Sequence, residues 1–118
     1  MFETAMSINN IPILRVKGKI IGNTAVSLKN EIDLQVEEAG AQLILDLTEV
    51  PLLDSSALSA IVAALQKLRQ TDGKMVLLNP QKSVMNVLKV TRLHLVLEVY
   101  DDEDSSHPLS VPRNGFHL

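Results

Sequence analysis

The residues best placed to do chemistry stand side by side at Asp54-Ser55-Ser56, between an aliphatic run and the start of a helical pattern. A carboxylate beside two hydroxyls can cap a helix, serve a nucleophile or accept a phosphoryl group. Nucleophilic catalysis needs a histidine set between acid and serine, and the chain has three, His94, His107 and His117. Two of these fall in the polar C-terminal stretch. Asp54 and Ser55 are chain neighbours, so an arrangement in which Asp orients His94 and His94 reaches Ser55 is a poor fit. His94 reads instead as a polar residue at a helix-to-strand junction. No histidine stands at ligand spacing from a carboxylate on one helix face, so no metal site is expected. Phosphate loops, dinucleotide fingerprints, HExxH and GxSxG are all absent from the sequence. The expectation is a protein that is not an enzyme and takes no cofactor.

Capping and phosphate acceptance remain. Residues of these types are ordinary N-caps, whose loss costs on the order of 1 kcal/mol, but three polar residues in a row exceed what one cap needs. A serine at a helix N-terminus is also a favourable place for a phosphate. Free N–H groups and the helix dipole there stabilise an added charge of about −1.5 to −2. The adjacent carboxylate of Asp54 repels that charge, which would turn a phosphoserine outward and alter the surface more than the fold. Chemistry alone leaves cap and switch both open.

Composition limits what surrounds this tripeptide. The 118 residues carry 11 Lys+Arg against 14 Asp+Glu, a net charge of −3, and 46% are hydrophobic. That is enough core for one domain without a metal or disulfide staple. The absence of cysteine removes disulfide, Cys-zinc, iron–sulfur and thiol chemistry. Phe2, Tyr100 and Phe116 are the only aromatic residues, and with the mild acidity they argue against direct nucleic-acid binding. No apolar run approaches 18 residues and the first residues do not resemble a signal peptide, so a cytoplasmic protein with no membrane partner is expected.

The elements that must position Ser55 follow from periodicity. Glu3–Ile8 and Ile11–Val16 predict a hairpin closed by a two-residue turn at Asn9-Asn10, with Pro12 at the start of its strand or on an unpaired side. Gly18–Asn23 reads as a loop. Ala25, Leu28, Ile32 and Val36 predict an amphipathic helix capped by Asn23 or Thr24 and stopped by Gly40. Gln42–Leu47 suits a central parallel strand covered on both faces. A second helix is expected from about Ser56 to Gln70, with Leu58, Ile61, Val62, Leu65 and Leu68 inward and Gly73 beyond its end. Lys74–Leu78 is a further strand. Asn79 as cap and Pro80 as first helical residue would open a third helix with Val84, Val87 and Leu88 inward. Leu93–Tyr100 reads as the last strand. The order β-β-α-β-α-β-α-β defines an α/β domain over residues 1–100, with a mixed sheet and right-handed crossovers. Residues 101–118, opening with Asp101-Asp102-Glu103-Asp104, are expected to form an acidic, polar, mobile tail.

The run Ile44-Leu45-Asp46-Leu47-Thr48-Glu49-Val50-Pro51-Leu52-Leu53-Asp54-Ser55-Ser56-Ala57-Leu58 is followed by a helix. Together with Asp72-Gly73-Lys74-Met75-Val76-Leu77-Leu78-Asn79 and Val87-Leu88-Lys89-Val90-Thr91-Arg92-Leu93, it resembles the STAS domain family, the bacterial anti-sigma factor antagonists. The likeness spans about residues 3–100. It implies a single domain with a mixed four- to five-stranded sheet and helices packed mainly on one side. It also implies Ser55 as phosphoacceptor, with Asp54, Ser56 and Ala57 beside it on a partner-facing loop. The implied partners are a serine kinase that is also an anti-sigma factor and a metal-dependent serine phosphatase. The unphosphorylated antagonist holds the kinase and frees the sigma factor; phosphorylation releases it. Other STAS relatives act without phosphorylation, as scaffolds of stress-signalling assemblies or accessory subunits of transport ATPases. Leu52 and Leu53 suit either partner docking or the core at the sheet end, and pairing as a weak homodimer stays open. The chain departs from the family pattern at Ala57, where the family carries glycine; alanine adds a methyl and favours helix by about 1 kcal/mol.

Overall fold

A computed structural model describes residues 2–6, 10–39 and 42–100. Strand β1 (Phe2–Met6) pairs antiparallel with β2 (Pro12–Lys17), and the last paired residues are Met6 and Pro12. The expected two-residue turn at Asn9-Asn10 involves Asn9, which lies outside the described residues. Pro12 has no N–H for the ladder and opens its strand, as expected. Asn10 itself has φ 61, the left-handed conformation that asparagine tolerates.

Strand β3 (Gln42–Glu49) lies parallel to β2 on one side and to β4 (Lys74–Leu78) on the other, and β5 (Glu98–Tyr100) adds parallel to β4. The sheet is mixed, five-stranded and ordered β1-β2-β3-β4-β5. Helices α1 (Asn23–Ala39), α2 (Ser55–Arg69) and α3 (Lys82–Val90) supply the connections. All three pack on one face, where Leu14, Leu45 and Leu77 of adjacent strands meet Leu28 of α1, Ile61 of α2 and Val84 of α3, all fully buried. Burying an aliphatic side chain of this size stabilises by about 1.5–3 kcal/mol, so this single core holds the helices to the sheet. The heptad-like spacing in α1 does what its sequence implied: Ala25, Leu28 and Ile32 are buried.

Three details differ from the expectation. Asn23 lies inside the first turn of α1 rather than capping it, because the N–H groups of Thr24 and Ala25 donate to the carbonyls of Ile21 and Gly22. The stop at Gly40 lies outside the described residues, as does the tail 101–118. Helix α3 begins at Lys82 after Gln81, not at Pro80 after Asn79. Asn79 is left-handed (φ 53) and its N–H donates 2.6 Å to the carbonyl of Tyr100, so it finishes the sheet instead of starting the helix. Finally, Leu93–Tyr100 is not one strand. Arg92 turns the chain with φ 62, Leu93–Leu95 form a 3₁₀ turn, and only Glu98–Tyr100 pair.

Candidate functional site

The loop from β3 to α2 carries the tripeptide out of the sheet centre, and it is fixed from two sides. On one side the N–H of Gly18 donates to Glu49, that of Ile20 to Leu52 and that of Asp54 to Ile20, forming a short bridge between Ile20 and Leu53. On the other side the β4–α3 loop reaches across. The Asn79 amide donates to Thr48 Oγ1 (3.2 Å), Gln81 Nε2 to the Thr48 carbonyl (2.9 Å) and Ser83 Oγ to the Pro51 carbonyl (2.7 Å). The base of the loop is held by Asp46, which accepts from the N–H and hydroxyl of Thr48 and pairs with Arg15 at 3.2 Å.

Asp54 is the N-cap of α2. Its Oδ1 accepts from the Ala57 N–H (3.0 Å) and its Oδ2 from the Gly22 N–H (3.1 Å), which ties the start of α2 to the loop before α1. These donors, Ala57 first and Gly22 second, hold its carboxyl below the usual carboxylate range. Ser55 and Ser56 are the first two helical residues and both are exposed. Among the described residues the Ser55 hydroxyl has no hydrogen-bond partner. A carboxylate engaged by two N–H groups, next to a free hydroxyl over open helix N–H groups, is a place where a phosphoryl group can be added without dismantling the cap.

The remaining expected site residues divide. Leu52 is 45% exposed beside the serines, whereas Leu53 is 3% exposed in the helix-side core. Ala57 is fully buried, its methyl turned inward and its N–H taken by Asp54, so the residue at the family's glycine position serves the core. Asp54 and His94 do not pair: Asp54 takes backbone donors, and Nδ1 of His94 sits 3.4 Å from the Leu88 carbonyl. Among the described residues no cluster of acidic or histidine side chains is arranged to hold a metal.

Periodicity in the sequence did not reveal the surface around the serines. Beyond Ser55 the exposed side of α2 carries Ser59 and the half-buried Ala63, spaced four apart, so this side of the helix is built from small residues. The helix stands as a ridge between two shallow grooves. One is bounded across from Ser56 by Val26 and Lys29 of α1, the other across from Ser55 by Thr91 and Leu93. The available signal was the spacing of Ser55, Ser59 and Ala63, read as a surface rather than as gaps between the inward leucines.

This fold and this loop are those of a known family. The STAS domain family model matches residues 4–106, and the chain belongs to that family. An anti-sigma-B factor antagonist of Listeria monocytogenes is 31% identical to it over 88 residues, 75% of this chain and 77% of that one. An anti-sigma factor antagonist from Mycobacterium paratuberculosis superposes with a TM-score of 0.75 at 22% identity, covering 85% of this chain and 84% of that one. The Bacillus cell fate determinant SpoIIAA, in its phosphorylated form, gives 0.67 at 18% identity over 89% and 96% of the two chains. At those identities the two solved structures share the fold.

Proposed function

We propose that this chain is an anti-sigma factor antagonist whose binding is switched by phosphorylation of Ser55. It acts as a regulatory protein and not as an enzyme. The observation that carries this reading is the division of labour at the start of α2. Asp54 caps the helix and ties it to Gly22, while Ser55 presents an unengaged hydroxyl at its edge.

The partner is a serine kinase that is also the anti-sigma factor. It docks on the α2 ridge with its active site over Ser55; Leu52, Asp54 and Ser56 border the contact, and Leu53 and Ala57 support it from the core. The transfer places about −1.5 to −2 charges where a neutral hydroxyl stood. The helix N-terminus favours that charge within the antagonist, but an interface fitted to a hydroxyl would have to desolvate a dianion beside the Asp54 carboxylate. Every 1.4 kcal/mol of that cost weakens binding about tenfold, so the phosphorylated antagonist leaves. A metal-dependent phosphatase restores the hydroxyl. Among the described residues no helix is long and apolar enough to cross a membrane, which fits a protein that meets its partners in the cytoplasm.

The test is intact-mass and fragment-ion analysis of the protein from its own cells, growing and stressed. One phosphoryl group on Ser55, with occupancy that changes between the two conditions, is expected. A chain free of phosphate in every condition would instead favour a constitutive interaction module using the same ridge, a stress-signalling scaffold or a transport-ATPase accessory subunit.

A further inference from the structure

Side chains alternate along β3, so Asp46 and Thr48 share one face while Leu45 and Leu47 point to the helices. Four hydrogen bonds meet on Thr48. Its N–H and hydroxyl donate to Asp46 Oδ1, its hydroxyl accepts from the Asn79 amide, and its carbonyl accepts from Gln81 Nε2. The direction of these bonds is set from the sheet. Asp46 pairs with Arg15 at 3.2 Å, and a carboxylate accepts without donating. The Thr48 hydroxyl therefore directs its one proton to Asp46 and turns a lone pair outward, where only a donor can bind. The Asn79 amide, presented by a left-handed residue at φ 53, is that donor.

We infer that Thr48 is a positioning residue for phosphoryl transfer to Ser55: through it Asp46 and Arg15 set the β4–α3 loop, and that loop sets the backbone carrying the serine. The inference rests on Ser55 being the phosphoacceptor. Residues 50–53 separate β3 from the cap Asp54. One side of this stretch is held by backbone bonds, from Ile20 N–H to the Leu52 carbonyl and from Asp54 N–H to the Ile20 carbonyl. The other side is held by Ser83 Oγ, 2.7 Å from the Pro51 carbonyl. Ser83 follows Asn79 and Gln81 by a few residues, so their bonds to Thr48 fix where it reaches the loop. None of these bonds involves the α2 ridge of Ser59 and Ala63. Loss of the Thr48 hydroxyl thus leaves the docking surface intact and loosens the placement of the reacting hydroxyl. Placement governs turnover, since an offset of about 1 Å can cost up to about a hundredfold in rate.

The test follows phosphate incorporation at Ser55 by fragment-ion mass spectrometry. Purified full-length protein is added at increasing concentration to ATP and a fixed amount of cleared lysate from its own cells, deleted for this chain. Thr48→Val is expected to fold, because Thr48 is exposed, and a thermal melt of each variant checks this. Its saturating rate should fall about tenfold or more while the half-saturating concentration stays at the wild-type value. Thr48→Ser, which keeps the hydroxyl, should restore the rate. A wild-type rate in Thr48→Val, a loss confined to the half-saturating concentration, or failure of Thr48→Ser to rescue would each overturn the inference. Should Thr48→Val melt early, Ser83→Ala removes the far end of the same brace and must show the same fall in saturating rate. A wild-type chain that takes no phosphate on Ser55 would strike the phosphoacceptor reading and this inference together, whereas equal rates in wild type and Thr48→Val would strike this inference alone.

Discussion

Two loops leave the sheet towards helices of the same core, and their polar residues do opposite jobs. At the β3–α2 junction Asp54 satisfies its own helix through Ala57 and adds a bond to Gly22. At the β4–α3 junction Gln81 occupies the cap position but makes no side-chain bond to its helix; its amide, with those of Asn79 and the hydroxyl of Ser83, goes to the first loop. Capping residues can serve the helix they precede or brace a neighbour. Here the second junction leaves its own helix end uncapped by a side chain and stiffens the loop that presents Ser55. Precision is thereby concentrated at the loop that presents Ser55, the proposed phosphoacceptor.

Breaking the two junctions should give unequal results. The largest effect is expected at Ser55 itself. Ser55→Ala should fold normally and accept no phosphate, and Ser55→Asp should bind the kinase partner at least about tenfold more weakly by calorimetric titration. Wild-type affinity in Ser55→Asp would remove electrostatics as the cause of release. Next in size, Asp54→Ala should lower the thermal midpoint clearly, because it frees two N–H groups on two elements, while Gln81→Ala should barely move it. Equal midpoints for the two variants would mean that the junctions are not different in kind.

Asn79 sharpens the comparison further. Asn79→Ala loses the bond to Thr48 and puts a Cβ-bearing residue without local compensation at φ 53, a combined cost of about 1–2 kcal/mol. Asn79→Gly keeps the backbone conformation easy and should cost less in denaturant unfolding. Both should speed hydrogen exchange across residues 48–53. The smallest effect is a pH dependence. Because its carboxyl is held low in the folded protein, Asp54 contributes stability above the ordinary carboxylate pKa, and that contribution is lost as pH falls through the folded value. Urea midpoints from about pH 6 to about pH 2 should therefore fall more steeply for the wild type than for Asp54→Asn, and parallel curves would exclude the cap as a source.

Much of the fold was legible because it depends on local pattern. Lys74–Leu78 forms β4 with the expected limits, and β3 is central and parallel as its unbroken aliphatic run implied. The misses share a physical cause, which is that long-range bonds outweighed local preference. Asn79-Pro80 carries a conventional helix-start signal, but the bonds of Asn79 to Tyr100 and Thr48 draw it into the sheet end, and the helix waits for Lys82. In the site, Asp54-Ser55-Ser56 stood out by chemistry. The bond from Gly22, 32 residues away, has no local signature. Neither does the opposite fate of Leu52 and Leu53, because an irregular loop has no period from which to read which side faces inward.

The strand order has a consequence for how the chain comes together. Since spatial order repeats chain order from β1 to β5, no strand has to be inserted between two that are already paired. Each βα unit can dock on the edge left by the one before it, in the direction of synthesis. Pairing between strands consecutive in the chain keeps each loop closure shorter than an inserted strand would require. It also means that shortening the chain from its C-terminal end would expose a new edge strand but would never leave a gap in the middle of the sheet.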